Sequence, residues 1–144
     1  MTSAPAPATA PARRTPEELF RHGLRLLLDQ DMTGWVDLWD DAGVFEFPFA
    51  PEDRPRRLEG KPAIAAYMAD YPRHIELHDF PEVTVHQTQD AATIVVEMAA
   101  TGRLVATGAP FAMSYVAVVT VHDGRIAHYR DYWNPLGVPA SMRA

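Results

Sequence analysis

The run Tyr129-Arg130-Asp131-Tyr132-Trp133-Asn134 sets one acid among aromatic side chains. If the run is a strand, alternation puts Tyr129, Asp131 and Trp133 on one face, and Phe47, from an earlier phenylalanine-rich segment, adds a further ring. A carboxyl walled in this way is poorly hydrated. That disfavours its charged form and raises its pKa toward the range where it exchanges protons near neutrality. Asp131 is therefore the candidate acid–base group. The alternative is a strand aspartate paired with Arg130 or another base at the mouth of a pocket, since an acid in an aromatic strand is costly unless it is used or paired.

Other chemistries lack their residues. Cysteine is absent, which excludes disulfides, thiolate nucleophiles and thiolate-ligated metals. The histidines, His22, His74, His78, His86, His122 and His128, do not form a metal pattern. His74 and His78 are four apart, but Ile75, Leu77 and Phe80 predict a strand there, over which that spacing is about 13 Å. His128 has the opposite parity to Asp131, and no HExxH run occurs. Neither a Gly-rich phosphate loop nor a Gly-x-Ser-x-Gly elbow occurs, so any catalysis is expected to need no cofactor and no metal.

The elements that must hold these residues can be read from periodicity. Thr15-Pro16-Glu17-Glu18 is a helix start with a capping box, and Leu19, Phe20, Gly23, Leu24, Leu27 and Leu28 follow at helical spacing. A second short helix is predicted over Thr33 to Trp39, with Trp35 and Trp39 on one face. Val44 to Ala50 alternates, so Phe45, Phe47 and Phe49 are expected to share the buried face of a strand. Pro51 to Leu58 reads as a loop, and Ala63 to Tyr71 as a third helix after Gly60-Lys61-Pro62, stopped by Pro72. Candidate strands then run Ile75 to Gln89, Thr93 to Ala106, Phe111 to His122 and Arg125 to Asn134, with Asp123-Gly124 marking a tight hairpin. Helices first and antiparallel strands after make this an α+β chain. Glu46 and Glu97 alternate away from the pocket side, where an ion pair or a dimer contact is their expected use.

The 144 residues are 47% hydrophobic and 22% charged, which is ordinary for a folded domain. Residues 1–14, nearly all Ala, Pro, Ser and Thr up to Ala12, are expected to be a disordered tail ahead of a single domain over 15–144. The net charge of −6 offers no basic field for phosphate backbones or anionic lipid, so nucleic acid is not an expected partner. No apolar run reaches the roughly 20 residues of a membrane span. Without a signal peptide or cysteine, a cytoplasmic location is expected.

The stretches Asp31-Met32-Thr33-Gly34-Trp35 to Phe47-Pro48, Gly60-Lys61-Pro62-Ala63-Ile64, and Asp123-Gly124-Arg125-Ile126 to Trp133-Asn134 resemble the nuclear transport factor 2-like superfamily over nearly all of Thr15 to Pro135. Within it the chain looks most like the SnoaL-like branch, in particular the phenazine-biosynthesis A/B proteins, whose final strand ends in a run similar to Arg130-Asp131-Tyr132-Trp133-Asn134. The resemblance implies a cone-shaped α+β barrel, with three N-terminal helices on a strongly curved antiparallel or mixed sheet around an apolar pocket. It also implies an acid–base role for Asp131, and it puts Tyr67 where the phenazine A/B proteins carry a pocket histidine. A phenol can donate to a carbonyl or oxyanion but is a poor base at its usual pKa of about 10. Matching to the ketosteroid isomerases of the same fold is negative. Their oxyanion tyrosine falls on Gly23, their base on Phe47 and their protonated aspartate on Ala117. The same matching turns Val96, Met98, Met113, Tyr115, Ala117, Tyr129, Asp131 and Trp133 toward the pocket. Trp39, Phe47, Met98, Met113, Tyr115, Tyr129, Trp133 and Asn134 are then candidate substrate contacts, each of which can equally serve packing.

Three functions fit this reading. The first is a cofactor-free isomerase, cyclase or dehydratase acting on a small, largely apolar or aromatic secondary-metabolite intermediate through Asp131. The second is a pathway protein that keeps the pocket and only binds. The third is an epoxide hydrolase, which needs an Asp-Arg-Asp arrangement of which only Asp131 is in view. A homodimer is expected, because Val118, Tyr132 and other sizeable side chains lie on the sheet face that the helices do not cover.

Overall fold

The computed structural model describes residues 14–137; the expectations for 1–13 and 138–144 lie outside these residues. Helix α1, Pro16–Leu28, starts as its capping box predicts: Glu18 N donates to Thr15 Oγ1 at 3.1 Å and Thr15 N to Glu18 Oε1 at 2.9 Å. It buries Leu19, Phe20, Gly23 and Leu24. Helix α2, Met32–Asp37, is capped by Asp31, whose Oδ1 accepts from Gly34 N at 2.8 Å. Trp39 is not in this helix. It opens strand β1, Trp39–Glu46, because Leu38 O accepts from Ile126 N at 2.9 Å and Trp39 pairs in register with Ile126. Sheet pairing overrides the helical spacing of the two tryptophans.

The alternation of phenylalanines also ends early. Strand β1 stops at Glu46, and Ala50 N donates to Phe47 O at 3.0 Å in a turn containing Pro48. Phe45 and Phe47 stay buried, whereas Phe49 is 56% exposed and packs edge-on against Tyr132 at 5.1 Å. The expected loop also contains a short strand, β2, Arg57–Glu59. Helix α3, Lys61–Asp70, begins two residues before the expected start, behind Gly60 at φ +88°, and passes into a 3-10 turn over Tyr71–Arg73.

Strands β3 (Ile75–Gln87), β4 (Thr93–Leu104), β5 (Pro110–His122) and β6 (Arg125–Trp133) form the rest of one sheet, in the order β2-β1-β6-β5-β4-β3. All pairs are antiparallel except β1 with β6, so the sheet is mixed and open, with β2 and β3 at its edges. The β5–β6 hairpin turns at Asp123 and Gly124, both at positive φ, as an Asp-Gly turn requires. Irregularities between Leu77 and Asp79 and between Asp79 and Glu82 bend β3. At Gly102, beside this bend, a Cβ would sit 2.0 Å from Glu76 O, so only glycine lets the strands approach.

The helices cover one sheet face and leave two buried clusters. The larger gathers α1, α2 and α3 over Phe45, Ile94, Val96, Val119 and Ile126; the smaller comprises Ile75, Leu77, Ala100, Leu104, Phe111 and Met113. Among the described residues no helix is long and apolar enough to cross a membrane.

Candidate active site

The gap between the two clusters is the site. Leu27, Tyr71, Phe80, Tyr115 and Trp133 pack against both clusters, and all five line a cavity of about 140 Å³. For scale, an apolar protein cavity of ~150 Å³ takes up a benzene molecule. The space therefore suits a group the size of one ring.

Asp131 and Tyr67 both line this cavity, as do Phe47, Met98, Met113, Tyr115, Tyr129 and Trp133. Two candidates do not. Trp39 is fully buried in the larger cluster, against Trp35, Phe45 and Tyr129, because its strand position sends the indole into the core. Asn134 lies past the end of β6, on a groove of the opposite sheet face, where its Oδ1 accepts from Leu136 N at 3.0 Å. Val96 and Ala117 are fully buried and do not line the cavity.

Asp131 Oδ1 is buried and has no hydrogen-bond partner. Arg130, its sequence neighbour, points to the other face, where its Nε is likewise buried and unpartnered. Burial alone pushes the Asp131 carboxyl up to about 7, with no cation holding it ionised. Four phenols surround it. Burial, then the charge of Asp131, raises Tyr67, opposed in part by Arg54. Burial foremost also raises Tyr71, Tyr115 and Tyr129, and an interaction between the hydroxyls of Tyr71 and Tyr115 couples that pair. All four stay protonated at neutral pH and act as donors.

Besides apolar lining such as Leu27, Phe80 and Phe111, two lining residues with a hydroxyl or a charge escaped the sequence reading, Tyr71 and Arg54. Tyr71 follows Tyr67 by four residues, the spacing that stacks side chains on one helical face, so a signal was present. Arg54 gave none, because it lies in an aperiodic loop held by short-range hydrogen bonds: Phe47 N to Arg56 O at 2.8 Å, Arg54 N to Pro51 O at 3.0 Å and Arg56 Nε to Ala50 O at 3.0 Å. At Gly23, the ketosteroid isomerase tyrosine position, an added Cβ would meet Trp35 Nε1 at 3.2 Å. Trp35 fills the space in which that tyrosine would stand.

Several other ionisable groups pair on the outer surface. Glu46 bonds to His128 and lies 3.3 Å from Arg57, Glu97 bonds to His86 at 2.7 Å, His74 to Asp70 at 2.9 Å and His78 to Glu76 at 3.2 Å. Among the described residues no three His, Cys, Asp or Glu side chains cluster as metal ligands.

Comparison with known proteins agrees with this architecture. The family described as the SnoaL-like domain matches residues 20–129. An uncharacterised Bacillus subtilis protein, YesE, is 46% identical over 121 residues, covering 84% of this chain and 82% of its own. A PhzA/B-like protein of Pseudomonas aeruginosa, PA3332, is 38% identical over 120 residues, covering 83% of this chain and 84% of its own. A crystal structure of a Bacillus subtilis protein provisionally termed an isomerase superposes with a TM-score of 0.81 at 46% identity, over 84% of this chain and 87% of that one.

Proposed function

The chain belongs to the SnoaL-like domain family of the nuclear transport factor 2-like fold, and we propose that it is a cofactor-free acid–base enzyme moving a proton on a small, ring-sized organic substrate. The observation that carries this reading is Asp131: a carboxyl in an aromatic cavity, without a hydrogen-bond partner on Oδ1, whose pKa burial sets near 7. Such a group is populated in both forms at neutral pH, so it can remove a proton from one atom and return it to another. The phenols of Tyr71, Tyr115 and Tyr67 are donors for charge that develops on a substrate oxygen. The rings of Phe47, Tyr129 and Trp133 orient the substrate, which lowers the entropic part of the barrier.

Isomerisation through an enol or enolate asks for these parts and no others. Epoxide hydrolysis asks for a second acid, and Asp131 is the one carboxyl lining the cavity among the described residues. A protein that only binds would use the same walls but would have no need of an unpaired acid, which costs stability.

The test uses cyclohex-3-enone, a neutral ring of suitable size. Proton removal from C2 and return to C4 gives cyclohex-2-enone, followed by ultraviolet absorbance. Turnover by the wild type that falls by about 10² to 10⁴ in Asp131→Asn supports the proposal. Equal turnover by the two proteins would remove Asp131 from the mechanism, and binding of the enone without conversion would favour a binding protein.

A further inference from the structure

The cavity contains a second unpaired ionisable group. Arg54 is partly buried and lines the cavity with Asp131, and among the described residues no hydrogen bond or ion pair engages its guanidinium. A guanidinium stays charged at any ordinary pH and has a planar fork of donors matched to a carboxylate. It is not the counter-ion of Asp131, whose raised pKa has burial as its one cause. It lines the same cavity as Tyr67 and Phe47, two rings 5.2 Å apart, and its charge acts on the Tyr67 phenol. A fixed cation and an acid thus line one small cavity, and among the described residues no ion pair joins them.

We infer that Arg54 is the specificity-determining residue of the site, and that it anchors the carboxylate of a monoanionic substrate while the ring of that substrate lies against Trp133 and the phenols beside Asp131. The charge balance argues for one negative charge. No other Lys or Arg lines the cavity, so a dianionic phosphate would bring a charge that nothing there offsets. Size argues for one ring, as above. This inference rests on reading the cavity as the substrate site, but it concerns recognition and not proton transfer.

The experiment measures binding alone, by calorimetry at pH 6 on the full chain, with benzoate and its neutral counterpart benzamide as probes. The wild type is expected to favour benzoate by roughly tenfold to a hundredfold, the worth of a charge-assisted hydrogen-bonded pair. Arg54→Met, which keeps the stem and removes the charge, should bind both probes alike, and Arg54→Lys should restore part of the preference. Equal binding of the two probes by the wild type, an undiminished preference in Arg54→Met, or no benzoate binding at millimolar concentration would each overturn the inference. Because no turnover is read, a failure here leaves the role of Asp131 standing, and an inactive Asp131 leaves this result standing.

Discussion

Asp131 is paired in register with Ala117 across β5 and β6, so the cross-strand neighbour of the carboxyl on the cavity face is a methyl group. Side chains opposite one another in a sheet are the first partners available to each other, and this one can neither donate nor neutralise. On the other side, the recorded pairing of β1 with β6 ends at Glu46 and Arg130, one position short of Asp131. Tyr129 and Trp133, two residues away on the same strand, supply rings. The raised pKa is thus a product of the sheet register.

That register has a consequence for stability. The folded pKa of Asp131 is raised, from 3.8 to about 7, so its contribution is whole below the unfolded value and is lost as pH rises toward 7. The difference is at most about 4 kcal/mol. Tyr67, Tyr71, Tyr115 and Tyr129, the phenols that share the cavity, hold their protons throughout this window. Urea unfolding should find Asp131→Asn gaining on the wild type between pH 4 and 7 and then running parallel to it. A difference that does not change with pH would contradict the shift.

Tyr71 and Tyr115 should act as a pair. Each Phe variant is expected to lower kcat on cyclohex-3-enone by roughly tenfold to a hundredfold, as for the loss of one donor, and the double variant to cost less than the product of the two. Tyr67→Phe lies outside that pair and should combine independently with Tyr115→Phe, whereas Tyr67 acts on Tyr71 directly. Strict independence of Tyr71 and Tyr115 in a double-mutant cycle would argue against a shared role.

Gly102→Ala tests the bend of β3. Its Cβ would collide with the backbone at Glu76, and overpacking of this kind costs about 1–3 kcal/mol. The melting temperature should fall, and benzoate affinity should fall with it, because Leu77 on the bent segment lines the cavity. An unchanged melting temperature would show that the strands separate easily.

The outer sheet face is expected to join two copies of the chain. Val116 is 38% exposed and Phe49, resting on Tyr132, 56% exposed, around a groove of about 610 Å³. Exposed apolar area of this sort marks an interface. Sedimentation at micromolar concentration should give a dimer that Val116→Glu splits, and a monomeric wild type would refute it.

Much of the fold was legible because its signals are local. The Thr15 capping box, the Asp123-Gly124 turn and the alternation of Val96, Met98, Met113, Tyr115, Tyr129, Asp131 and Trp133 each depend on residues a few positions apart, and each appears where it was expected. Trp39 and Phe49 misled for the opposite reason. A helical spacing of tryptophans gave way to a strand pairing with Ile126, more than eighty residues on, and an alternating run was cut by a turn at Pro48.

The sequence by itself determined the kind of chemistry on offer. One acid among rings, no cysteine and no phosphate loop are the grounds on which proton transfer is proposed, since side-chain type and strand parity are properties of the chain alone. Tertiary structure decided the rest. It gave Asp131 a methyl for a neighbour, left a ring-sized gap between two clusters, and brought Arg54 into the lining of that gap from a loop with no periodicity to read. Register and cavity size follow from contacts between residues far apart in the chain, and only the packed molecule specifies those.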